Sequence, residues 1–70
     1  MPSYCVNRNA ESNGDHEVHD VTANNWCLPA PAHRQDLGQH ATCVTAVQEA
    51  KRYFNQVDGC RWCAPACNNG

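Results

Sequence analysis

Apolar and polar residues alternate at the start of the chain. Tyr4 and Val6 flank Cys5 in an extended pattern, and the N-A-E-S-N-G-D stretch from Asn9 to Asp15 is dense in turn formers. His16-Glu17-Val18-His19 then reads as a returning strand, so this part predicts a β-hairpin. Periodicity is lost from Asp20 to Asp36, where Asn24-Asn25 and the P-A-P of Pro29 to Pro31 forbid regular helix and predict a long loop carrying Cys27. Leu37 to His40 supplies a third short strand. A helical period follows: Cys43, Ala46, Val47, Ala50 and Phe54 fall at i, i+3, i+4, i+7 and i+11 behind Thr42 as N-cap. The spacing predicts one buried stripe on a helix of about 13 residues, with Glu49 outward and Lys51 and Arg52 in the last turns, where cations complement the helix dipole. Gly59 ends the segment and permits a tight turn into Cys60. The expected architecture is α+β, a small antiparallel sheet packed on one helix, in a single domain over residues 1–70 without internal repeats.

Size makes that fold marginal. In 70 residues a single apolar core seldom contributes more than about 3–5 kcal/mol of net stability. The 41% hydrophobic content includes six cysteines and many alanines, leaving Leu28, Leu37, Phe54, two tryptophans, two tyrosines and a few valines as a thin core. A staple is therefore expected, made either of metal or of disulfides.

The N-terminal Met1 to Val6 has neither a basic nor an apolar leader region, and no apolar run approaches the roughly 18 residues of a membrane span. These features predict a cytoplasmic protein, a setting in which thiols bind metals more often than each other. The formal charge of −2 comes with basic residues spread at Arg8, Arg34, Lys51, Arg52 and Arg61. Without a basic stripe, no nucleic-acid partner is expected.

Candidate chemistry concentrates at the C-terminus, where Cys60 and Cys63 form a C-x-x-C pair just after the helix. Such a pair can place both sulfurs on one ion, and Cys27 with His19 can complete a tetrahedral zinc site that closes a long loop. Thioredoxin-type redox pairs begin a helix in a larger α/β fold, whereas this pair follows one. H-E-V-H-D is one residue short of the H-E-x-x-H motif, and on a strand His16 and His19 point to opposite faces, so only one joins a given site. His19 is the expected ligand, with His16 as the alternative, and His33 and His40 read as ordinary loop and strand-end residues. Cys43 reads most simply as a small buried hydrophobe, with Cys67 as its partner if it has one, and Cys5 reads the same way. Trp26 and Trp62, each beside a proposed ligand, are expected to be buried as a shield for the site; exposed, they would mark a docking surface.

Taken together, N-G-D-H-E-V-H (Asn13 to His19), Cys27-Leu28-Pro29, Leu37-Gly38, Cys43 with A-V-Q-E-A-K, G-C-R-W-C (Gly59 to Cys63) and the last Cys67 resemble a family of small uncharacterised bacterial proteins rich in Cys and His. The resemblance covers nearly the whole length and implies no activity. More distantly, the order His, Cys, strand, helix, C-x-x-C is similar to small metal-binding beads related to the N-terminal zinc domain of bacterial DNA alkyl-phosphotriester repair proteins. The chain departs from the family pattern in the D-V-T-A-N-N-W that separates His19 from Cys27, and in having Asn68 rather than histidine after Cys67. With no catalytic constellation present, the sequence predicts a non-enzymatic protein with structural zinc on His19, Cys27, Cys60 and Cys63 and a possible protein partner. The rivals are a secreted peptide with three disulfides and a thiol redox protein using the C-x-x-C pair.

Overall fold

The computed structural model describes residues 1–69. Its first strands are β1 (Ser3–Asn7) and β2 (His16–Asp20), antiparallel, with Cys5 opposite His19 and Val6 opposite Val18. Their connecting loop is held by its own side chains and by Gln56 from the segment after the helical region. Asn13 Oδ1 accepts from Asp15 N–H at 2.9 Å, and Gln56 Nε2 donates to Asp15 Oδ1 at 2.7 Å. Gly14 adopts φ +93°, a left-handed conformation that favours glycine at the tip.

Strand β3 (Arg34–Gln39) pairs antiparallel with the other side of β1. It begins three residues before the expected Leu37, because backbone pairing rather than apolar alternation recruits Arg34 to Asp36. The register shifts between Tyr4 and Cys5, which pair with Gly38 and Asp36 respectively, so Leu37 is the extra residue of a β-bulge and Gly38 takes φ +77°. Helix α1 (Cys43–Ala50) follows, with the Thr42 hydroxyl accepting from Val44 N–H as the N-cap reading predicts. The helix is eight residues long, shorter than expected. Beyond it Arg52 and Tyr53 bond three residues back, to Glu49 and Ala50, and this tighter path carries Phe54 onto the ring of His16, stacked at 3.9 Å between centroids.

Strand β4 (Val57–Gly59), which alternation in so short a segment could not reveal, lies parallel to β2. The sheet is therefore mixed, not wholly antiparallel, with order β3-β1-β2-β4. β3, α1 and β4 form a β-α-β unit with the hairpin inserted between its two strands. No helix among the described residues is long and apolar enough to cross a membrane.

The sheet has two differently filled faces. Tyr4, Val6, Val18 and Leu37 meet Cys43, Ala46 and Ala50 of α1, with Ala64 closing the same core. Cys5 and His19, one residue out of phase, lie on the other face, yet both are buried. That second face is covered by the loop after β2 and the turn after β4.

Candidate metal centre

Three segments meet at the second face. His19 is held by the β1–β2 ladder near the end of β2. The loop carrying Cys27 is tied down before and after the cysteine: Ser3 N–H donates to Thr22 Oγ1 at 2.9 Å, Ala23 N–H donates to Asp20 Oδ1 at 3.2 Å, and Arg34 Nε donates to the Pro29 carbonyl at 2.8 Å. Asn24 makes the loop's sharp bend at φ 51°, a left-handed conformation that asparagine tolerates. Cys60 leaves β4 with its N–H donating to the Val18 carbonyl at 2.8 Å, and the turn to Cys63 closes with Ala64 N–H on the Cys60 carbonyl at 2.9 Å.

The result brings together the four residues the sequence singled out. One ligand atom from each of His19, Cys27, Cys60 and Cys63 lies within 4.8 Å of every other, a group that could hold a metal ion. Zn–S bonds of about 2.3 Å and Zn–N bonds of about 2.0 Å at tetrahedral angles imply edges of roughly 3.5–3.8 Å. His19 Nδ1 and Cys63 Sγ stand 3.4 Å apart, close to such an edge, and no pair of donors is separated by more than 4.8 Å. Two sulfurs also face backbone donors, Trp62 N–H to Cys60 Sγ and Asp20 N–H to Cys63 Sγ, each at 3.4 Å. Donors of this kind compensate thiolate charge without adding a cation.

Burial sets the protonation states. It pushes the His19 imidazole down to about 4, with Arg34 adding to the effect, so at neutral pH the ring keeps a lone pair for a ligand bond. Burial raises the thiols of Cys27 and Cys63 above their ordinary range. A bound cation must therefore displace their protons. Glu17, on the same face two residues before His19, has its carboxyl raised by burial first and then by neighbouring Glu11, Asp58 and Asp15.

The other candidates fall elsewhere. His16 faces the helix side, its Nδ1 2.9 Å from the Asn7 carbonyl, and does not replace His19. Cys5 is buried, as expected, and its thiol is pushed up to about 11, mainly by burial. Cys43 is more than a buried hydrophobe, since it forms a disulfide with Cys67. The three-bridge alternative does not match: Cys5, Cys27, Cys60 and Cys63 remain free thiols.

The tryptophans reverse the expectation of a buried shield. Trp26 is 79% exposed and Trp62 56% exposed, their rings 5.6 Å apart. Each neighbours a ligand whose sulfur points inward, and the short segments add no layer outside the indoles. Beside Trp62 opens a cavity of about 520 Å³ whose lining includes Glu11, Asp15, Glu17 and Asp58 together with one cationic residue, Arg61, which lies over the Trp62 ring at 5.3 Å. Sequence reasoning missed Glu17 and this cavity; strand alternation could have placed Glu17 beside His19, but nothing local signals that Asp58 joins them.

Comparison with protein-family models, with curated proteins and with solved structures finds no match in any of the three.

Proposed function

We propose that this chain is a small non-enzymatic zinc protein whose ion is structural. The observation that carries the reading is the convergence of His19, Cys27, Cys60 and Cys63 from three separated segments into one cluster, with His19 and Cys60 buried and Cys27 and Cys63 partly buried. Three thiolates and a neutral imidazole suit zinc in both softness and geometry, and they fill its tetrahedron, leaving no position for substrate or water. The site would carry a net charge of about −1, compensated in part by the two backbone donors. Free thiols suit a reducing compartment and a disulfide an oxidising one. Zinc on the thiols lets both staples coexist, because coordinated sulfur is withheld from oxidation.

Intact mass under native and then acid conditions tests the reading. The expected result is a native mass heavier by one zinc, falling on acidification to a chain lacking only the two hydrogens of a single disulfide. A metal-free native mass lacking six hydrogens would overturn it in favour of three bridges. Rapid alkylation of one cysteine in the zinc-loaded protein would instead favour a thiol enzyme.

We also propose that the module docks a protein partner through Trp26 and Trp62. Exposed paired indoles, each next to a metal ligand, form a rigid apolar surface, and the carboxylates of the adjoining cavity favour a partner segment that presents a lysine or arginine.

A further inference from the structure

We infer that Glu17 is a positioning residue of the metal centre, accepting the Nε2 proton of His19 and thereby fixing Nδ1 as the ligand atom. The inference rests on the metal reading above and deepens it. His19 Nδ1 faces the cluster, 3.4 Å from Cys63 Sγ. Nε2, on the opposite side of the ring, is buried and has no hydrogen-bond partner, in a residue only 1% exposed. Glu17 Oε1 lies 3.8 Å from it.

A neutral imidazole carries one N–H. If Nδ1 binds the ion, that proton sits on Nε2, where a buried donor without an acceptor is costly. Metal-bound histidines usually resolve this by donating to a carboxylate or carbonyl. Glu17 is placed to serve. Strand alternation puts it on the same face as His19, and its part-exposed side chain is free to close the roughly 1 Å that separates 3.8 Å from an ordinary N–H···O distance. Asp58, its register partner on β4, is already engaged, taking the N–H groups of Gly59 and Asn69 and the Asn68 amide. Arg34, the other charge acting on His19, is a donor and cannot take the proton. Coordination at Nδ1 also polarises the ring and makes Nε2–H a better donor, so metal and carboxylate reinforce one another.

Two measurements test this. In ¹⁵N-labelled protein loaded with ¹¹³Cd, long-range proton–nitrogen spectra should show cadmium coupling to His19 Nδ1 and the proton on Nε2. In chelator competition with zinc, Glu17→Ala should weaken affinity by about 10–100-fold. Glu17→Gln, whose amide oxygen still accepts, should recover most of that loss, and Glu11→Ala, in the same cavity but not paired with the ring, should match the parent. The Nε2 proton should also exchange faster with solvent in Glu17→Ala than in Glu17→Gln, which keeps both the side-chain volume and an acceptor. Coupling to Nε2, or an affinity unchanged in Glu17→Ala, would overturn the role of Glu17 while leaving the metal site intact. A parent protein that binds neither cadmium nor zinc would overturn the metal reading itself.

Discussion

Gly59 shows how much can rest on the absence of one side chain. A Cβ built there would lie 2.6 Å from Cys67 Cβ, 2.7 Å from its carbonyl carbon and 2.9 Å from the Ala64 oxygen. Two of these three neighbours are backbone, held by the disulfide and the last turn, so no flexible side chain can yield. Gly59→Ala is expected to destabilise the fold by about 1–3 kcal/mol or more through overpacking, read as a lower denaturation midpoint of the zinc-loaded protein. A midpoint within error of the parent would show that the C-terminal segment moves aside freely. In the sequence this glycine reads as a helix terminator. Its actual requirement comes from residues five and eight positions later, Ala64 and Cys67, and no local pattern carries that information. His19, Cys27, Cys60 and Cys63 were legible because ligand chemistry limits the choice of residue type even when the path between residues is unknown. The exposure of Trp26 and Trp62 was not, since it depends on how much chain remains to cover them.

Among the elements, α1 is the one most dependent on a covalent tie. Its buried contribution is Cys43, Ala46 and Ala50, little apolar area for a helix too short to be stable alone. The Cys43–Cys67 bridge, with a separation of 24 residues, restricts the unfolded chain by about 3–4 kcal/mol on loop-entropy reasoning. Replacing both cysteines with serine should lower the stability of the zinc-loaded protein by about that amount, and amide exchange should accelerate in α1 first. Zinc affinity should remain within a few-fold of the parent, because the ligands belong to the opposite face. A large parallel loss of affinity would mean that the two faces are not independent. The hairpin and the helix start were readable because alternation and capping are local signals. The mixed sheet was not: β4 is three residues long, and its parallel partner lies some forty residues upstream.

At the scale of the whole molecule, the sheet separates two kinds of cohesion. One face is closed by apolar residues and a disulfide, the other by the Cys/His cluster, and the docking surface proposed above belongs to the second. Trp62→Ala in the zinc-loaded protein should leave zinc affinity and far-ultraviolet circular dichroism unchanged. Quenching of the remaining Trp26 fluorescence by a lysine-rich peptide should weaken at least several-fold, and the same peptide with glutamate in place of lysine should not bind the parent. Equal quenching by both peptides would remove charge complementarity as the basis of recognition.

The tail after β4 has one more consequence. Beyond the C-x-x-C turn the chain crosses to the helix side at Cys67 and then returns along the sheet margin, where Asn68 Nδ2 donates to the Gly59 carbonyl at 2.9 Å and Asn69 N–H to Asp58 Oδ1 at 3.0 Å. The outer margin of β4 thus has part of its hydrogen-bonding capacity occupied by its own chain, which hinders a foreign strand from adding there. Asn68→Ala would spare the metal ligands and the disulfide while freeing the Gly59 carbonyl, and its expected effect is greater self-association at unchanged metal affinity, read by light scattering and chelator competition.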